Sequence, residues 1–189
     1  MKTRTFFSLS LILVLPACST LPLAAVDKAP LSIVERVAIA LSEGDSAQSP
    51  TIKAQAARTL TAFGAKPADS ETPDLAQIWA SQARDGAAPL VYRGRILGPA
   101  YRNGSIIPGS TTATEQLFLA GQLAHVTVSA SRGALLNLAI TDSKGKAVCQ
   151  IMVGQPVGSC KWIPLFSERF QVTIDNNGSQ NARYFLVVN

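Results

Sequence analysis

The chain has 189 residues, 47% hydrophobic and 15% charged, with a net charge of +5, one histidine and three cysteines. That length suits one ordinary domain, or a helical module plus a small sandwich, and the apolar fraction excludes an intrinsically disordered chain. A lone histidine excludes a multi-histidine metal site, three cysteines are too few for a disulfide-dense scaffold, and no CxxC pair offers the usual zinc spacing.

Lys2 and Arg4 precede an apolar run, Phe6 to Leu15, that is too short for a permanent membrane span and fits the hydrophobic region of an export signal. The next residues, Leu15-Pro16-Ala17-Cys18, resemble the bacterial lipobox, although Pro16 stands where Ala or Ser is usual. The resemblance implies a signal peptide over 1–17, lipidation of Cys18 and a membrane partner reached through the acyl chains. With Ser19 rather than Asp following, it implies the periplasmic face of the outer membrane. The competing reading is an ordinary signal cut later, after Ala25, which leaves a soluble periplasmic or secreted protein. Residues 18–30 read as a tether.

Residues 31–87 read as a short α-helical region. Leu31, Val34, Val37, Ala38 and Leu41 share one helical face, Ser32 and Glu35 have capping-box spacing, and Gly44 is the expected stop. A second helix is expected from Pro50 to Phe63, capped by Ser49, stopped by Gly64 and anchored by Ile52, Ala56, Leu60 and Phe63. A third is expected from Pro73 to Ala83, capped by Thr72 and anchored by Leu75, Ile78 and Trp79.

Residues 88–113 read as a linker with two Tyr-Arg pairs. Tyr92, Arg93, Arg95, Tyr101 and Arg102 form the expected partner-binding surface, because arginine forks bind carboxylates and phosphates and stack on aromatic rings. The alternative places Arg93 and Arg95 on the wet face of an ordinary strand.

From Thr114 to Asn189 the pattern alternates with period two between turn residues, which predicts a β-sandwich or barrel. Val126 and Val128 are expected inside, and His125, on the opposite face, is expected to meet water. Leu119-Ala-Gly-Gln, Leu136-Asn-Leu-Ala-Ile-Thr-Asp-Ser-Lys-Gly145, Val148-Cys149, Cys160-Lys-Trp162-Ile-Pro164, Phe170-Gln-Val-Thr-Ile-Asp-Asn176 and Tyr184-Phe-Leu-Val follow in order. This series resembles the bacterial pre-peptidase C-terminal domain, from about residue 98 onward. The resemblance implies a jelly-roll-like sandwich that acts as a non-catalytic accessory module. Asn137 and Thr141 replace acidic residues that many members carry, which argues against a calcium site.

In an oxidising compartment Cys149 and Cys160 are expected to pair, leaving Cys18 for lipid; the alternative is a metal held with His125. Trp162 is expected in the core, the alternative being a carbohydrate-stacking face. No GxSxG, HExxH or Walker loop occurs. The fold class is therefore α+β, a short N-terminal helical region followed by an all-β jelly-roll-like sandwich. The expected function is a non-catalytic, lipid-anchored envelope module with no cofactor, no metal and no nucleic-acid partner, docking a protein or glycan. A hydrolase or hydrolase inhibitor, and a purely structural lipoprotein, are the alternatives.

Overall fold

The structure, a computed structural model, describes residues 30–82, 98–154 and 156–189. Ser32 opens helix α1 (Ile33–Ser46) with the expected capping box: its hydroxyl accepts from Glu35 N at 3.2 Å, and Glu35 Oε2 accepts from Ser32 N at 2.8 Å. The helix does not stop at Gly44. A Cβ there would meet the Trp79 ring at 2.5 Å and Ala56 Cβ at 2.9 Å, so this glycine permits helix packing rather than termination. Helix α2 (Pro50–Ala62) follows Ser49, whose side chain makes no capping bond, and ends before Gly64 at φ +64°.

The two-residue strand β1 (Lys66–Pro67) comes next, then helix α3 (Leu75–Ser81). Asp74 caps α3 in place of Thr72, which is bonded to Asp69 instead. Ile52 and Ile78 are exposed; the buried anchors are Ala54, Ala56, Ala57 and Leu60 of α2 and Trp79 of α3.

Eight strands follow: β2 (Ala100–Ile106), β3 (Thr111–Phe118), β4 (Ala124–Ala130), β5 (Leu136–Thr141), β6 (Ala147–Met152), β7 (Val157–Trp162), β8 (Glu168–Asn176) and β9 (Ala182–Val188). They form two sheets, a five-stranded one in the order β1-β2-β9-β4-β7 and a four-stranded one in the order β3-β8-β5-β6. Strand β2 thus begins at Ala100, inside the stretch expected to be linker.

The inner faces of the two sheets enclose a core of Val126, Val128, Leu136, Leu138, Ile140, Phe170, Val172, Ile174 and Leu186. Phe118 packs edge-on against Trp162 and Phe170, which are tilted to each other, with centroids 4.9–5.8 Å apart. Trp162 is therefore a packing residue. A disulfide joins Cys149 of β6 to Cys160 of β7, tying the free edge of one sheet to the free edge of the other. In the chain-entropy view a loop this short contributes about 3 kcal/mol.

A second core lies on the outer face of the five-stranded sheet. Val34, Val37, Ala38 and Leu41 of α1 meet Phe185 and Val187 of β9, and Tyr101, Leu60, Ala56 and Trp79 complete it. Strand β4 is consequently buried along its whole length. Both cores fall within Leu31–Asn189, which forms one compact unit.

Gly44→Ala tests the close packing of α1. In an open helix this change stabilises by about 1 kcal/mol. Here urea unfolding should instead show a loss of about 1–3 kcal/mol, because the methyl has no room beside Trp79.

Candidate functional site

Of the expected Arg-Tyr surface, Tyr101 and Arg102 fall within the described residues. Tyr92, Arg93 and Arg95 lie outside the described residues. Tyr101 is not on a surface: it is fully buried, its hydroxyl donating to Pro73 O at 3.1 Å and accepting from Leu75 N at 2.9 Å. It pins the start of α3 to β2, and burial pushes its phenol up to about 12. Arg102 is partly exposed but engaged, 3.2 Å from Asp69 Oδ2 and donating to Thr114 Oγ1 at 2.9 Å. Hydrogen bonds from Thr72, together with Arg102, hold the Asp69 carboxyl below its ordinary range.

His125 is also corrected. It does lie on the face opposite Val126, but α1 covers that face, and the ring is 3% exposed. Ser32 Oγ is 3.4 Å from Nδ1, Thr127 Oγ1 is 3.1 Å from Nε2, and Thr127 Oγ1 is 2.9 Å from Ser159 Oγ. Glu35 closes the group, with Oε1 3.2 Å from Lys161 Nζ and 3.9 Å from His125 Nε2.

A neutral imidazole suits this cluster, because both ring nitrogens face hydroxyls. Ser32 Oγ accepts from Glu35 N and lies against Nδ1. Thr127 Oγ1 bridges Nε2 and Ser159 Oγ. Burial, then the nearby Lys161, lowers the His125 pKa to about 4, against a smaller opposing pull from Glu35. For Glu35 burial acts upward, but the Ser32 hydrogen bonds, with those of Lys161 and Ser159, outweigh it and bring the carboxyl to about 2.

The arrangement has the chemistry of a clamp that holds the first turn of α1 on β4 and β7. Ser32 serves there as the helix cap, and both ring nitrogens of His125 face hydroxyls. No sequence motif flagged the cluster; the single clue was the capping box, which places Glu35 near the helix start. Among the described residues no group of three or more His, Cys, Asp or Glu side chains could hold a metal ion.

At the other end of α1 a polar groove opens between that helix and the turns leading from β4 and into β9. It is lined by Ser42, Glu43, Asp45, Ser131, Arg132 and Arg183. Arg183 is 2.7 Å from Asp45, and Arg132 is exposed with no ion pair among the described residues. Strand β4 separates this groove from the His125 clamp by roughly 20 Å at about 3.3 Å per residue.

No family model matches the chain, and no curated protein matches it. Solved structures do resemble it at low identity. The pre-peptidase C-terminal domain of a collagenase from Bacillus anthracis aligns at TM-score 0.43 and 11% identity, over 48% of this chain and 88% of that one. The Yersinia pseudotuberculosis-derived mitogen aligns at TM-score 0.39 and 12% identity, over 49% and 85%. PliG of Aeromonas hydrophila, a periplasmic inhibitor of g-type lysozyme, aligns at TM-score 0.38 and 15% identity, over 48% and 84%.

The lone histidine makes the clamp directly measurable. Its folded-state pKa lies below the unfolded 6.5, so the native state resists a proton that the unfolded chain accepts. The stabilisation it provides is complete above pH 6.5 and is lost as the pH falls toward 4, by roughly 2–3 kcal/mol. The imidazole resonances should stay unshifted by NMR down to about pH 4 while the midpoint of urea unfolding declines. A titration centred near 6.5 would show an open ring.

Proposed function

We propose that the chain is an exported, lipid-anchored accessory module of the cell envelope that docks a protein partner and is not itself an enzyme. The observation that carries this reading is the polar groove at the far end of α1, where Arg132 is exposed beside the Arg183–Asp45 pair and Glu43. Mixed charge at a rim favours orientation and on-rate in a protein–protein contact. A protein suits the groove better than a glycan, because no tryptophan lines it: Trp79 is buried and Trp162 packs on Phe118.

Export is supported by the Cys149–Cys160 disulfide, which fits an oxidising compartment, and by the apolar run that precedes Cys18. Among the described residues no helix is long and apolar enough to cross a membrane. The membrane attachment in this reading is the acylated Cys18, on the periplasmic face of the outer membrane.

A hydrolase is the second reading, and the gathering of His125, Glu35 and Ser159 is what favours it. It would require substrate to reach atoms that α1 covers.

Photocrosslinking from position 131 in intact envelopes tests the docking site. The wild-type chain should capture a defined partner, and the R132A/R183A double variant should lose at least about nine-tenths of it while melting within a few degrees of wild type. Capture that survives the double substitution sinks the groove assignment. Mass spectrometry of the mature N-terminus tests the anchor; an unacylated start beyond Cys18 refutes it.

A further inference from the structure

We propose that the end of the sandwich nearest the start of α1 is a membrane-seating surface that rests on an anionic lipid bilayer. Two loops meet there, one joining β3 to β4 and the other joining β7 to β8. Gly121 N donates to Pro164 O at 2.9 Å and Ala120 N donates to Ser167 Oγ at 2.9 Å, so the loops form one hydrogen-bonded unit. That unit turns large apolar side chains outward: Leu165 is 86% exposed, Phe166 72%, Ile163 61%, Leu123 54% and Leu119 48%.

A soluble face does not need five such residues on two joined loops, and contiguous apolar exposure of this kind marks a binding surface. The backbone that carries them is held firmly. Trp162, next to Ile163, packs on Phe118 and Phe170, and Asn189 donates to Leu123 O at 2.7 Å while accepting from His125 N at 2.9 Å.

The position of α1 identifies the occupant as lipid. Ser32 lies against His125, two residues from Leu123, so the thirty residues before Leu31 join the fold at this end. Cys18 lies thirteen residues before Leu31, so on the anchored reading the chain enters the fold at this end from the bilayer side. This step rests on the anchored reading above.

Charge agrees. The turn between β5 and β6 lies at the same end, because Ser143 donates to Glu168 at the start of β8. It exposes Lys144 and Lys146, neither of which has an ion pair among the described residues. The neighbouring acids keep their charge but face other partners: Asp142 accepts from the backbone N–H groups of Lys144 and Lys146, and Glu168 accepts from Ser143. Apolar side chains flanked by unpaired lysines match an interface of acyl chains and anionic headgroups.

The test uses residues 31–189, the unit that contains both cores, with cooperative melting checked first. Flotation with phosphatidylcholine–phosphatidylglycerol vesicles should recover the wild-type unit, and binding should weaken on phosphatidylcholine alone or in high salt. L165S/F166S should lower the partition coefficient about tenfold or more. K144E/K146E should weaken binding to the anionic vesicles only. M152S, an exposed apolar change on β6, should leave binding unchanged. Absence of vesicle binding by the wild type, or equal binding by a folded L165S/F166S variant, overturns the proposal. So does wild-type self-association in sedimentation that L165S/F166S abolishes without vesicle binding. This unit lacks Cys18, so an unacylated N-terminus would refute the anchor without altering these results.

Discussion

The seating of α1 on the outer face of the five-stranded sheet governs most of what is unusual here. A β-sandwich of this size normally leaves the outer face of each sheet wet, and alternation along its strands then reads as buried against exposed. Helix α1 removes that freedom from β4 and β9. Val37, Ala38 and Leu41 seal against Phe185 and Val187, and α2 and α3 close over the helix from behind with Leu60 and Trp79. The polar residues of β4 that point the same way are buried with them. Each finds a partner: Ser129 donates to Ala38 O at 2.9 Å, and Thr127 and His125 join the hydroxyl chain to Ser159.

That burial explains the behaviour of the titratable groups. Glu35 and Lys161 pair directly at the helix start, and His125 lies beside them with both ring nitrogens facing hydroxyls. The same carboxylate completes the capping box and the ion pair, so the residue that starts the helix also fastens it to the sheet. The disulfide performs a related task on the inner face of the same β7, where neither edge strand, β6 or β7, has a further neighbour within its sheet. With both constraints in place the two ends of the sandwich differ in character, joined apolar loops where the chain enters and a charged groove where α1 ends.

Local features could be read directly where their cause was local. The capping box needs residues three apart, the Gly64 stop needs only a positive φ, and the strands from β3 to β9 that alternate cleanly follow from their own side chains. Strand β2 was hidden because Tyr101 and Arg102 resemble a surface motif, and their burial and pairing come from α3 and Asp69, far away in the chain. Gly44 looked like a helix stop because only the arrival of Trp79 reveals its packing role. The apolar loop residues do not read as one patch in the sequence, because Leu119, Leu123 and Ile163 to Phe166 belong to two segments about forty residues apart.

By itself the sequence determined the fold class, the order of helices before strands, and the cysteine pair available for a disulfide, since periodicity, capping and count carry that information residue by residue. Tertiary structure alone decided which sheet face is covered, and so whether His125 and Tyr101 meet water. It also decided which loops share an end of the sandwich and which arginines remain open. Those outcomes depend on how one helix docks on a sheet, a contact between segments ninety residues apart whose free energy appears in neither segment's own pattern.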